Sequence, residues 1–419
     1  FKVKDGVGAR AAFVFTPNDR LRIDLTADYS HDHASLAVGR PLNDLTTFSI
    51  GFYPNQTLEV TDPVGSGSYD WKGATTPGLP NSTKLTHYGF AGTAAYDFTD
   101  ALTVKSITSW RDLGTDDYVD IDATEYEIGD VFVGVDQRQF SQEFQLLYSG
   151  DRLNAVAGLY YLDEKVKSHQ EAYADDLLGP LFADSGFLRT VDDKLRTKSY
   201  AAFANASYEI LAGVRLSSGL RYTRETKDYW RTTSTFYSNP IIHGLYGTTF
   251  VFAPDKGKWN DWSPMATIDW QARPNLMLYA RAAKGFKSGG FNGRANSLNE
   301  TSAYAPEKVW SYELGFKSRP AQGLTVNGAV FHSDYKDFQA RIGAVARGAG
   351  LPTPLLKVLN VGQLRIRGAE LEAAWTPVDQ LLLDAQIGYL DAEYKEFEDD
   401  RFPNDSRAFQ TPAFSPKWT

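Results

Sequence analysis

Leu21-Arg22-Ile23-Asp24-Leu25-Thr26-Ala27-Asp28-Tyr29 places an apolar side chain at every odd position and a polar one at every even position, without a miss. Successive side chains of a strand point to opposite faces, so this period of two makes a strand that is apolar on one face and wet on the other. The pattern returns as Tyr200, Ala202, Ala204, Ala206 and Tyr208 against Asn205 and Ser207, and as Val214, Leu216, Leu220 and Tyr222 against Arg215, Ser217, Arg221 and Thr223. It returns again as Trp310, Tyr312, Leu314 and Phe316 against Ser311, Glu313 and Lys317, and as Leu381, Leu383, Ala385, Ile387 and Tyr389 against Asp384 and Gln386. From this phase Leu216, Leu220, Leu314 and Ile387 are expected to point outward, and Arg215, Arg221 and Glu313 inward.

Between such runs the connections fall into two classes. Short ones at 16–19, 97–100, 149–152, 210–213, 272–275, 319–323 and 377–379 are rich in Gly, Pro, Asn or Asp, as tight turns require. Long ones at 31–83, 112–136, 167–194, 228–258, 288–306, 341–362 and 396–413 alternate strictly with them, which puts short and long ends on opposite rims. A propeller would repeat a motif every ~40–50 residues, and no such repeat exists here. Long amphipathic strands with short turns on one rim and long loops on the other predict an all-β fold, an antiparallel transmembrane β-barrel.

The composition agrees. Aromatics make 14 % of the 419 residues, beside 35 Gly and 2 Met, a profile of strands and turns. No run approaches 18 apolar residues, and the mean hydropathy is −0.37; a barrel gives this result because its alternation cancels in any window. With 0 Cys, a disulfide framework, a thiolate zinc site and a cysteine nucleophile are all excluded. The net charge of −9 argues against a nucleic-acid binder, which would carry a basic face. The chain starts at Phe1 without a basic and apolar leader, so an export signal is expected to lie outside this stretch.

Particular stretches resemble the TonB-dependent outer-membrane receptors. The resemblance is densest in Tyr279-Ala280-Arg281-Ala282-Ala283-Lys284-Gly285-Phe286-Lys287-Ser288-Gly289-Gly290-Phe291-Asn292, in Pro306 to Lys317 and in Arg365-Ile366-Arg367-Gly368-Ala369-Glu370-Leu371-Glu372. Ser141-Gln142-Glu143-Phe144, Ala157 to Tyr161 and Gly219 to Glu225 are similar to barrel strands of the same family, in the same order. The resemblance implies a barrel of about 22 strands closed by an N-terminal plug, placed in the outer membrane of a Gram-negative bacterium. Its implied partners are outer-membrane lipid, periplasmic TonB acting through the plug, and a scarce solute such as an iron chelate or a glycan. Residues 1–419 then read as one receptor barrel domain, incomplete, of about 14 strands, without the plug, the TonB box or the terminal strand. Ser415-Pro416-Lys417-Trp418-Thr419 resembles the start of a further strand. Fourteen strands closed into a smaller porin remain possible by strand number alone. The rival class is a soluble secreted all-β protein that binds or hydrolyses carbohydrate.

The common nucleophile, zinc and P-loop motifs are absent, so no enzyme, cofactor or metal centre is expected. His31-Asp32-His33 offers metal-ligand types, against an ordinary solvated strand end. Asp112, Asp116, Asp117, Asp120, Asp122, Glu125, Glu127 and Asp130 crowd one long connection; oxygen at that density suits Ca²⁺, but the spacing matches no EF-hand and a solvated acidic lip is the plainer reading. Tyr229, Trp230, Phe236, Tyr237, Tyr246, Phe250 and Phe252 fall in one loop, and Phe48, Phe52, Tyr53, Tyr69 and Trp71 in another. Such rings stack on a ligand or form the loops' own small core. Arg221, Glu225, Arg281, Lys287, Glu313, Lys317, Glu370 and Glu372 are expected to face the lumen, where with Tyr229 and Trp230 they form the solute-binding candidates. Finally, Leu364 and Ile366 are even whereas Ala369, Leu371, Ala373 and Trp375 are odd, which predicts a β-bulge at Gly368.

Overall fold

A computed structural model describes residues 3–35, 39, 48–49, 57–58, 75–76, 78–80, 82–121, 123, 126–127, 129–178, 185–293, 295, 302–346, 353–397 and 417–418. The chain runs through β1 (Val3–Asn18), β2 (Leu21–Ser35), the two-residue β3 (Phe48–Ser49) and β4 (Thr57–Leu58), β5 (Ser82–Thr99), β6 (Leu102–Asp120), β7 (Asp130–Ser149) and β8 (Leu153–Tyr173). After a short helix α1 (Asp175–Leu178) come β9 (Phe187–Leu211), β10 (Val214–Tyr237), helix α2 (Pro240–Tyr246), β11 (Thr248–Arg273), β12 (Leu276–Lys287), β13 (Glu307–Ala321) and β14 (Leu324–Lys336). β15 (Gln339–Ala346), β16 (Thr353–Asn360), β17 (Gly362–Val378), β18 (Leu381–Phe397) and β19 (Lys417–Trp418) complete it.

One 15-stranded sheet takes β1, β2, β5 to β14 and β17 to β19 in chain order, each strand antiparallel to the next; β3–β4 and β15–β16 are separate ribbons. The short connections all fall on one rim. Gly213 and Gly323 take φ of 76° and 72° in two of these turns, a conformation that costs glycine no steric penalty. Lys417–Trp418 add to β18 opposite Leu390 and Tyr389, where the sequence suggests a further strand.

The long connections are shorter than the sequence suggests, because the ladders continue into them. Asp120 pairs with Asp130, Tyr173 with Leu188, and Tyr237 with Phe187. β10 has 24 residues, about 80 Å of strand at ~3.3 Å per residue, whereas about 9–11 tilted residues cross the hydrocarbon. Beyond the membrane both faces are wet, so the alternation fades from the sequence while backbone hydrogen bonding goes on.

Residues directly opposite in a ladder share a face, so the register sorts every side chain. Leu216, Ile268, Ala280, Leu314 and Val330 follow one another across five strands, and Leu371 lies opposite Ile387. These form an exposed apolar belt, with Leu314 60 % accessible. Tyr96, Tyr148, Tyr208 and Trp270 edge it near the turns, and Tyr29, Trp110, Tyr161, Tyr200 and Trp262 edge it on the far side. An apolar band between two aromatic rows is the lipid face of an outer-membrane barrel. The expected phase holds: Leu216, Leu220, Leu314 and Ile387 lie on the belt's face, and Arg215, Arg221 and Glu313 on the other.

The bulge expected at Gly368 is absent. Phe331, Gly368 and Leu390 stand opposite one another in an unbroken ladder, and Gly368 is not among the glycines of positive φ. Arg365 and Arg367 do share the face of Leu371, but Glu393 and Asp391 hold them at 2.7 Å and 2.6 Å above Tyr389, so no change of phase is needed to keep them from lipid. The register slips closer to the loop, between Gln363 and Leu364, with Lys395 as the extra residue and Gly362 at φ 112° beside it. Gly368 instead makes room for a ring: a Cβ there would come within 2.5 Å of Phe331. Phe203 over Gly158, Tyr279 over Gly315 and Phe316 over Gly328 repeat the device, ring and glycine directly opposite each time.

Candidate functional site

Arg221, Glu225, Tyr229, Arg281, Lys287, Glu313, Lys317, Glu370 and Glu372 all fall on the polar face, opposite the belt. Trp230 is one residue out of phase and lies on the outward face, where Lys194 Nζ stands 4.5 Å from its ring centre. Within the transmembrane stretch the polar face is lined by opposed charges. Arg281 faces Glu313 across the β12–β13 ladder, Glu313 accepts from Tyr279 Oη at 2.6 Å, and Lys287 faces Glu307. Arg221 lies over the rings of Tyr160 and Phe203 at 5.5 Å and 5.7 Å. Arg281, Lys287, Lys317, Glu370 and Glu372 are exposed, so this face presents both signs of charge to a polar solute.

Higher on the same face, the segment 288–293 after β12 folds against β10. Lys227 Nζ donates to Ser288 Oγ at 2.8 Å and to the Gly289 carbonyl at 2.9 Å, lies 3.1 Å from Glu225, and stands over Trp259. Ser288 Oγ donates in turn to Glu225. Phe291 stacks on Tyr229 with centroids 5.3 Å apart and meets Trp259 edge-on. Tyr229 Oη donates to Asp193 at 2.6 Å, and Arg231, 3 % exposed, donates to Asp193 and to the Gly293 carbonyl at 2.7 Å. Burial pushes the Asp193 carboxyl above its usual range against the pull of Arg231. Burial, then the Asp193 charge, pushes the Tyr229 hydroxyl up.

These bonds use most of what Glu225 and Tyr229 offer. Both clamp the 288–293 segment, and the freer charges sit below them on the barrel wall. Asp193 and Arg231 fall inside the connections 167–194 and 228–258, where the sequence shows no alternation, while Lys227 and Trp259 border the second of these with no signal that marks them; continuing the odd phase of β10 from Arg221 through Lys227 past 228 reaches Tyr229 and Arg231. Arg231 Nε and Thr233 Oγ1 are buried without a protein partner, and such atoms call for ordered water.

The remaining sequence candidates scatter. His31 and His33 lie within β2 on one face and Asp32 on the other; His31 Nδ1 is 2.9 Å from Thr86 Oγ1, and His33 lies 3.7 Å from Asp5. Asp112 pairs with Arg138, Asp117 accepts from Thr83, and Asp120 accepts from the Thr76 and Ala123 amides. Asp122 and Glu125 lie outside the described residues, and among those described no group of three ligand types is arranged to hold a metal ion. Of the rings around α2, Tyr237 and Phe252 are buried, with Tyr237 against Phe187 and Tyr246, while Phe236, Tyr246 and Phe250 are exposed. The side chain of Phe48, and Phe52, Tyr53, Tyr69 and Trp71, lie outside the described residues.

The family model for the TonB dependent receptor-like β-barrel matches residues 11–419. The pesticin receptor of Yersinia pestis is 26 % identical over 259 residues, 59 % of this chain and 33 % of that protein. Among solved structures, the ferric yersiniabactin uptake receptor FyuA of Yersinia pestis superposes with a TM-score of 0.70 at 17 % identity, covering 94 % of this chain and 52 % of that one. The copper transporter OprC gives 0.65 at 14 % identity over 93 % and 53 %, and the siderophore receptor PiuA of Acinetobacter baumannii 0.62 at 14 % over 96 % and 58 %. The chain thus spans about a third of the curated relative and half or slightly more of these structures.

Proposed function

This chain belongs to the TonB-dependent receptor-like β-barrel family, and from that premise we propose that it forms the wall of an outer-membrane receptor that binds a scarce solute at its extracellular end and imports it with energy delivered through TonB. The observation that carries the reading is the phase of the sheet. Across strand after strand, one face is an apolar belt edged by aromatic rows and the other is lined with Arg281, Glu313, Lys317, Glu370 and Glu372. A soluble carbohydrate-binding or hydrolytic sandwich would bury that belt against a second sheet; here Leu220, Leu314, Val330 and Leu371 are open.

A metal chelate is the first solute to test. Relatives of similar fold carry ferric chelates or copper by their names, and the mixed charge of the polar face suits an anionic or zwitterionic complex. Cells that depend on this receptor are expected to take up radiolabelled ferric chelate only with TonB and the proton gradient intact. Uptake that persists without TonB, or a protein that is soluble without detergent and runs alike on gels before and after boiling, rejects the reading.

A further inference from the structure

Between β11 and β12 the backbone ladder stops before the strands do. Its last rung joins Met265 to Ala283, yet above it β11 reaches back to Thr248 beside β10, and β12 runs on to Lys287 beside β13. The next position on β11 is Pro264, which has no N–H to give. Beyond β12 the segment 288–293 turns inward across Trp259 to Lys227 and Tyr229 of β10. Among the described residues no backbone rung crosses the gap, and two side chains cross it instead. Lys284 stands opposite Trp310 in the phase of the belt residues Ala280 and Ala282, whereas Asp261 stands opposite Thr223 on the polar face. Lys284 Nζ nevertheless donates to both carboxylate oxygens of Asp261, at 2.7 Å and 2.8 Å, and to the Trp262 carbonyl at 2.9 Å. The pair therefore joins the outward face to the lumen face through the wall, its side chains 17 % and 4 % exposed.

The height of the gap gives it a meaning. Trp262 and Trp310 are both open on the outward face, and aromatic rows mark the edge of the hydrocarbon. Inside the hydrocarbon the backbone of a barrel wall has to stay paired; here pairing ends at that edge, and an ion pair stands where the next rung would be. On the lumen side lie Asp261, Glu225 and Lys227, and on the outward side the belt residues Ala282 and Tyr312, so a molecule that lies across the gap needs a polar head and an apolar tail. We propose that the β11–β12 gap is a side port of the barrel, through which the polar head of an amphiphilic solute enters the lumen from the outer leaflet while its tail stays along the belt, and that Lys284 and Asp261 are the latch that shuts it. Both latch groups are largely out of water, so removing one leaves the other without its counter-charge and draws water into the gap. The port rests on the receptor reading and adds to it a class of solute and a route.

The test uses the complete receptor in phosphatidylcholine nanodiscs, and the 0 Cys of this chain let one introduced thiol report one place, once any cysteine outside residues 1–419 is replaced by serine. Ser263→Cys puts the thiol on the lumen face beside the gap, opposite Arg221. Ser311→Cys puts it on the lumen face between two unbroken ladders, opposite Ala283 and Ser333. Each is offered a phosphatidylethanolamine with a maleimide on its head, as the amphiphile, and soluble N-ethylmaleimide, and adducts are read by mass spectrometry. Lys284→Met is expected to raise the ratio of lipid-borne to soluble labelling at position 263 by on the order of tenfold, because the buried carboxylate loses its partner; position 311 should not respond, and Lys284→Arg should stay near the parent. Should Lys284→Met fail to assemble, Asp261→Asn, which keeps the shape and removes the charge, is expected to raise the ratio by about threefold. An unchanged ratio at position 263, an equal rise at position 311, or a rise in Lys284→Arg as large as in Lys284→Met overturns the port. TonB-dependent uptake by the parent together with an unchanged ratio rejects the port alone, whereas uptake that needs no TonB rejects the receptor reading itself.

Discussion

The ring of Phe331 occupies the space that a side chain at position 368 would need, and the Tyr389 carbonyl closes that space from the other strand. Gly368→Val therefore has to push a ring and a backbone apart inside an unbroken ladder, and overpacking of this kind costs about 1–3 kcal/mol. Urea unfolding of the receptor from liposomes should show the loss, and an unchanged midpoint would mean that Phe331 moves freely aside. Charge is decisive at His169, on the outward face above the membrane. Its ring nitrogens lie 2.8 Å from Asp192 and 3.0 Å from Glu171, and these hydrogen bonds, Asp192 first, raise its pKa above the ordinary 6.5. A folded-state pKa above the unfolded one adds stability that is complete below the unfolded value and is lost as pH rises through the raised one. Amide exchange at the outer end of β8 and β9 should therefore quicken from about pH 6 upward beyond its ordinary base catalysis. His169→Gln should remove that excess, and identical pH profiles for parent and variant would sink the assignment.

For the strands, phase is the strongest constraint, since a slip of one residue exchanges lipid and lumen faces. Leu220 lies on the belt one row below Tyr222 and Trp262, whereas Arg221 lies on the polar face over the Phe203 ring. Leu220→Arg should cost on the order of 2 kcal/mol, between the small penalty at the interface and the larger one at the midplane. Arg221→Leu should leave assembly nearly intact. Folding yields into liposomes measure both, and the reverse ranking would turn the barrel inside out. This phase was legible in the sequence because one solvent boundary runs along every strand, as in Leu21 to Tyr29. Strand ends above the membrane were not, since no such boundary separates the faces of 167–194 or 228–258. For the same reason Glu225 and Tyr229 were found as candidates while their partners Asp193 and Arg231 were not. Gly368 was misread because its meaning lies on Phe331, in another strand.

In the whole sheet, fifteen strands follow one another in chain order, yet among the described residues β1 is paired only to β2, and β18 only to β17 and the two-residue β19. β1 has 16 residues and β18 has 17, so each leaves a long row of backbone donors and acceptors along its outer side. Lipid offers such groups no hydrogen bond, and each one left unsatisfied costs several kcal/mol; in water the same edges recruit other chains. Closing these strands on each other would be the internal remedy, and it would make a barrel of these strands alone. Residues 1–419 expressed alone are therefore expected to aggregate through β1 and β18 instead of folding into liposomes as a monomer. Proteolysis and gel mobility before and after boiling distinguish the outcomes: a protected, boiling-sensitive monomer would show that this sheet closes by itself, and the smaller pore would then be the better description of its architecture.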